Sequence, residues 1–157
     1  MFNGELVAIY VCGRKRDELR SLTEAEAVAG RGLRGDRYFR DGDGASADHD
    51  PAREVTLIES EALDGLSREY ELRLAPNESR RNLLTRNVPL NHLVGRSFKV
   101  GGVVLRGIRL CEPCGHLESL TVEGVKKGLC HRGGLRAQIV QGGLLRPGDA
   151  ITPLNDG

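Results

Sequence analysis

"RSFKVGGVVLRGIRL", Arg96–Leu110, reads as two apolar, β-branched runs joined by a pair of glycines. Gly101-Gly102 offers the positive φ angles that a two-residue hairpin turn requires, so the flanking runs are expected to pair antiparallel. Working outward, "ELVAIYV" (Glu5–Val11) and "EVTLIES" (Glu54–Ser60) read as further strands. "LRAQIVQGG" (Leu135–Gly143) puts Ala137 and Ile139 on one side and Gln138 and Val140 on the other, while "RPGDAITPL" (Arg146–Leu154) is a turn followed by a closing strand. "ELRL" (Glu71–Leu74) alternates and "APNE" (Ala75–Glu78) is a turn.

Helical signals are shorter. "SLTEAEAVAG" (Ser21–Gly30) has Thr23 and Glu26 in a capping-box pattern, alanines in the middle and Gly30 to close it. Ser60 stands where it can cap a helix with Leu63, Leu66 and Tyr70 on one face. Another helix is expected from about Gly115, carrying Leu117, Leu120, Val125 and Leu129 and interrupted at Gly124. Many short strands and few short helices predict a mainly β fold with short helices (α+β), an antiparallel barrel closed or nearly so.

Bulk properties narrow the function. The 157 residues suit one domain, 1–157, and 39% hydrophobic with 29% charged residues is the balance of a soluble globular protein. A net charge of +1 gives no global field for nucleic acid or an anionic membrane, and 4% aromatics without tryptophan leave no base-stacking surface. No apolar run approaches the roughly 20 residues of a membrane span. The apolar stretch Leu6–Val11 has no basic region before it and no small-residue cleavage site after it. No signal peptide is read there, and a cytoplasmic setting with reduced thiols is expected. "DGDGASADHDPARE" (Asp41–Glu54) is small, acidic and aperiodic, and is expected to be a flexible surface loop. Asp41, Asp43 and Asp48 mimic a calcium loop only superficially, because the spacing is wrong and the terminal glutamate is missing.

The chemistry concentrates in "LCEPCGHLE" (Leu110–Glu118). Cys111-x2-Cys114 is half of a zinc site, but its nearest partners are Cys130 and His131, adjacent residues that ordinarily point apart. His116, two residues past Cys114 at a helix start, turns away from it by about 200°. Zinc is therefore not expected. A thioredoxin-like pair matches in spacing and in Pro113, but such a pair opens a helix in a βαβ unit and this one ends a hairpin. The third reading is a reactive or metal-ligating thiolate at Cys114. The helix start would lower its pKa, Pro113 would stiffen the approach, Gly115 would admit another molecule and His116 would add positive charge. Cys12, inside an apolar strand, reads as a buried small hydrophobe. Cys111 stays open as an alternative working thiol or a resolving partner.

Three stretches, "GLRGDRY" (Gly32–Tyr38), "SRRNLLTRNVPLNHLVGRSFKVGG" (Ser79–Gly102) and "LCEPCGHLE", resemble the MOSC domain, named after the C-terminal region of molybdenum cofactor sulfurase. "HRGGLRAQIVQGGLLRPGDAI" (His131–Ile151) is similar to that domain's closing strands, and the likeness runs from about Glu5 to Leu154. The resemblance implies an antiparallel β-barrel-like fold of the small bacterial type. It implies a pocket that holds a molybdenum-pterin cofactor or handles activated sulfur through one cysteine. By position that cysteine is Cys114, as molybdenum ligand or persulfide carrier, with Arg80 and Asn82 as cofactor contacts. It also implies either a reductase of N-hydroxylated substrates fed by an external electron donor or a sulfur-transfer component docking to a sulfurtransferase.

The residues themselves are compatible with an anion pocket. Arg80 and Arg81 on a strand would face opposite ways, leaving Asn82 on the face of Arg80. "GLRGDRY" offers Arg34 or Arg37, and "HRGGLR" offers Arg132 and Arg136, with backbone N–H groups beside each. Asp36 is expected to orient an arginine. For each arginine taken singly, a solvated face or a surface ion pair is an equally good account. The competing function is a non-catalytic, zinc-stabilised or cofactor-free binding module.

Overall fold

The computed structural model of the protein describes residues 2–14, 16–40, 50–113, 115–121 and 123–155, with Gly115 and His116 described by backbone alone. Eleven strands are present among them: β1 (Gly4–Val11), β2 (Arg20–Leu22), β3 (Ala25–Val28), β4 (Gly32–Leu33), β5 (Val55–Glu59), β6 (Leu83–Arg86), β7 (Ser97–Val100), β8 (Val103–Leu110), β9 (Leu135–Gln141), β10 (Gly143–Leu145) and β11 (Ala150–Pro153). Three helices join them: α1 (Ser60–Tyr70), α2 (Gly115–Leu120) and α3 (Val125–Gly128).

The expected hairpin is the centre of the wall. Val100 pairs with Val103 across a two-residue loop. Gly101 takes φ 59° while Gly102 does not enter the left-handed region, the pattern of a turn that needs a positive φ only at its first central residue. From there the sheet runs β11-β7-β8-β9-β5-β6-β1, and β11 pairs with β1 to close a seven-stranded barrel. Closure leaves the barrel no free edge. Leu6, Ile9, Leu57, Leu83, Phe98, Leu105, Leu135 and Ile151 fill its interior, none of them exposed.

One strand pair departs from the antiparallel expectation. β5 and β6 are parallel, with Leu57 opposite Leu83 and Ile58 opposite Leu84. Parallel neighbours need a crossover, and α1 provides it. Both faces of these strands are covered: Leu57 and Leu83 point into the barrel, while Ile58 and Leu84 meet Leu66, Leu117, Val125 and Leu129 from the three helices in a second apolar cluster. The helix break foreseen at Gly124 is present, with that residue at φ 97° ahead of α3 and its N–H donated to Glu118 at 2.9 Å. Ser60 is the first residue of α1 and not its cap; Glu59 holds the cap position without a side-chain hydrogen bond.

Ser21–Gly30 is not a helix. It contributes β2 and β3, and β3 buries Ala25 and Ala27 while exposing Glu26. That period of two lets Ala25 face Leu145 and Ala27 face Leu33 in a small β10-β3-β4 sheet, so pairing overrides the helical preference of alanine. Glu71–Leu74 forms no strand, and Pro76–Ser79 is a 3-10 turn. Within the stretch read as a flexible loop, 41–49 lie outside the described residues. Asp50 caps a 3-10 turn at Pro51–Arg53, and Glu54, 1% exposed, accepts from the N–H of Ile139 at 2.9 Å.

Candidate functional site

Near the end of β1 the segment Ser79–Asn82 accepts from the Tyr10 N–H, and Arg81 within it reaches the Gly133 carbonyl ahead of β9 and the Cys111 carbonyl after β8. A cavity of about 150 Å³ opens there, lined by Cys12, Asp36, Arg37, Thr56, Arg80, Arg81, Asn82, Cys111, Leu117 and Arg136, with Leu19 and Tyr38 at its margin. The strand alternation expected for Arg80–Asn82 is absent. Arg80 sits at φ 60° as the residue closing the 3-10 turn, and β6 starts only at Leu83. Both arginines therefore line the cavity.

They do different work. Arg81, 9% exposed, donates from Nε to the Gly133 carbonyl at 2.8 Å and from its Nη atoms to the carbonyls of Ser79 and Cys111, each at 3.3 Å. It is a buried strut. Arg80 donates from Nη1 to the Asp17 carbonyl at 2.8 Å, and its Nη2 lies 3.7 Å from the Cys12 sulfur. Asn82 is also engaged. Its Oδ1 accepts from the Thr56 N–H at 3.0 Å and hydroxyl at 3.1 Å, and its Nδ2 donates to the Tyr10 carbonyl at 3.1 Å. Asn82 thus ties β5 to β1.

Arg37 is the informative cation. Its Nη1 is buried with no hydrogen-bond partner among the described residues, while its guanidinium lies 4.6 Å from the centre of the Tyr38 ring. A buried guanidinium nitrogen left unpaired is costly, and an acceptor atom in the cavity would relieve it. The side chain of Arg136, opposite Thr56 in the β5–β9 register, makes no hydrogen bond or ion pair among the described residues. Asp36 accepts from the Cys12 N–H at 3.0 Å. Burial pushes its carboxyl above the usual aspartate range, against the opposing pull of backbone N–H groups at Cys12 and Tyr38 and of the Arg37 charge.

Two predicted contacts sit elsewhere. Arg34 is exposed and paired with Glu26 at 2.7 Å, and Arg132 donates to the Gly128 carbonyl at 2.8 Å and to Glu69 at 2.7 Å beside Tyr70. Each is held by a carboxylate outside the cavity. Gly115 opens α2. Cys114 lies outside the described residues; Cys111 and Leu117, on either side of it in sequence, both line the cavity. Sequence reasoning missed Cys12 as a wall residue. The signal was available: Cys12 follows the last residue of β1 and precedes the polar run Gly13-Arg14, so it marks a strand end.

Cys130 and His131, expected to point apart, do not. Their ligand atoms and a carboxylate oxygen of Glu112 all lie within 4.8 Å of one another. His131 at φ 62° breaks the alternation that separates neighbouring side chains on a strand.

The MOSC domain family model matches residues 44–152, more than half of the sequence. The chain belongs to the MOSC domain family. The family is associated with molybdenum-cofactor binding. Solved structures share the fold of this MOSC domain. The YuaD protein of Bacillus subtilis superposes with a TM-score of 0.77 at 17% identity, over 96% of this chain and 97% of its own. YiiM from Geobacillus stearothermophilus follows at 0.72 and 13% identity, over 98% of this chain and 76% of its own. YiiM from Escherichia coli gives 0.69 and 17% identity, over 100% of this chain and 71% of its own. No curated protein matches the sequence of this MOSC domain. Among its described residues, no helix is long and apolar enough to cross a membrane.

Proposed function

We propose that this MOSC domain is a sulfur-handling module that seats an anionic group beside a working cysteine, Cys114. The observation that supports this most directly is that Arg37, whose buried Nη1 has no hydrogen-bond partner among the described residues, lines a cavity with Arg80 and Arg136. Four arginines at one small cavity, Arg81 among them as a strut, favour an oxoanion or a persulfide anion over a neutral ligand. Arg81 and Asn82 shape that cavity through their bonds to the backbone.

The donor set fits the phosphate of a molybdenum-pterin cofactor. The cavity, about 150 Å³ and open to solvent on one side, is smaller than the roughly 300 Å³ at which pockets for molecules of that size begin, so it suits the phosphate and not the whole group. In the sulfur-carrier reading, the Cys114 thiolate attacks the outer sulfur of a persulfide held by a donor protein such as a sulfurtransferase. A new S–S bond forms at Cys114, the donor's S–S bond breaks, and the donor leaves as a thiolate. The persulfide on Cys114 ionises more readily than a thiol, and Arg37 and Arg80 compensate its charge. Such a carrier belongs where thiols stay reduced, in the cytoplasm.

Exposure to a low-molecular-weight persulfide, followed by intact-mass and peptide analysis, is expected to show one added sulfur on the Cys114 peptide and none in Cys114→Ser. Addition at Cys12 or Cys111 instead would overturn the assignment. Elemental analysis of the purified chain showing molybdenum near one per chain would replace the carrier reading with a cofactor-binding one.

A further inference from the structure

We propose that Glu112, Cys130 and His131 form a zinc-binding site with an open coordination position. This site is separate from the cavity chemistry and does not depend on it. Glu112 leaves the end of β8, and Cys130-His131 forms the turn between α3 and β9.

The donor atoms are a thiol sulfur, an imidazole nitrogen and a carboxylate oxygen, all within 4.8 Å of one another. Zinc bonds of about 2.0–2.3 Å at tetrahedral angles place ligand atoms roughly 3.3–3.8 Å apart. His131 Nδ1 and Glu112 Oε2, now an ion pair at 3.0 Å, would part by a few tenths of an ångström to admit the ion. The remaining closure is about 1 Å, and all three side chains are exposed and able to rotate toward a common ion.

The backbone around the ligands is braced. The His131 N–H donates to Glu112 Oε1 at 3.0 Å, and Asn91 Nδ2 donates to the His131 carbonyl at 2.7 Å. Glu112 is thereby held against the turn by one oxygen while the other faces the imidazole. Thiolate and imidazole together select zinc over magnesium or calcium, which take oxygen ligands. Three protein ligands at the surface leave the fourth position to water or to an incoming group.

The placement also gives the ion a structural consequence. Inside the protein, Arg81 bridges the carbonyls of Cys111 and Gly133. Glu112 and His131 belong to the same two segments, so zinc would staple from outside what Arg81 joins from inside. Binding there would stiffen the wall of the cavity.

Cobalt(II) is the probe, added to the full chain after metal removal and under a thiol-free reductant. One equivalent is expected to give a thiolate-to-cobalt charge-transfer band and visible ligand-field absorption, both bleached by one equivalent of zinc. Cys130→Ser is expected to lose the charge-transfer band while remaining folded by circular dichroism. Glu112→Gln and His131→Asn (asparagine keeps the left-handed backbone accessible) are expected to weaken cobalt binding. Cys111→Ser and Cys114→Ser are expected to keep the band. Absence of the band in the wild type, its survival in Cys130→Ser, or its loss in Cys114→Ser would each overturn the proposal.

Discussion

The β7–β8–β9 wall and the corner built by Ser79–Asn82 are held together by opposite means. In the wall, Phe98, Leu105, Leu135 and Ala137 are wholly buried and their neighbours alternate outward. Apolar area removed from water is the stabilising term. In the corner, Arg81, Asn82 and Asp36 are buried and bonded to backbone groups far away in sequence, Gly133 lying 52 positions after Arg81. There, satisfied hydrogen bonds replace apolar packing, and each lost partner leaves a buried group unpaired. The contrast teaches that a barrel can be continuous in its strands yet change its cohesive chemistry from one side to the other, and the ligand-sized space opens on the polar side.

The largest expected effect tests the wall. Phe98→Ala should cost about 3–5 kcal/mol in urea unfolding, because the side chain is fully buried and its loss leaves a cavity. Next comes the corner: Arg81→Met should cost about 2–3 kcal/mol, since three carbonyls lose their donor. A cost below that of an ordinary surface substitution, about 0.5 kcal/mol, would remove the claim that polar bonds hold the corner. Arg37→Ala should leave stability nearly unchanged and weaken the binding of inorganic phosphate or sulfate about tenfold to a hundredfold, as measured by calorimetry. Equal loss of stability would make Arg37 a second strut like Arg81.

The smallest effect is a pH dependence. Burial raises the Asp36 pKa in the folded state, so its stabilising contribution is fully present below the ordinary aspartate range. That contribution is lost as pH rises through the raised value. Stability measured across this window should therefore fall with rising pH in the wild type, and the slope should flatten in Asp36→Asn. A steeper slope in the variant would mean that Arg37 stabilises the ionised carboxyl more than burial penalises it.

Legibility followed the same division. The hairpin at Gly101, the strands around Ile9, Leu57 and Ile139, and the break at Gly124 were readable because each is a local pattern of burial or turn chemistry. Ser21–Gly30 misled because its alanines favour a helix in isolation, and only the presence of Leu33 and Leu145 on neighbouring strands makes a strand better. Arg37, Arg80 and Arg136 could be picked out as an anion set, and the structure brings them to one cavity. Arg34 and Arg132 looked equivalent to them in sequence but are taken up by Glu26 and Glu69.

The sequence by itself determined a closed β fold and the MOSC family, because strand alternation, glycine turns and motif order are written along the chain. Only the tertiary structure decided which arginine is a strut and which is free. It also decided that Cys12 and Cys111 share a wall, and that neighbouring Cys130 and His131 converge on Glu112. Those outcomes depend on which distant carbonyl, carboxylate or left-handed turn comes within reach of a side chain, and no local period encodes that distance.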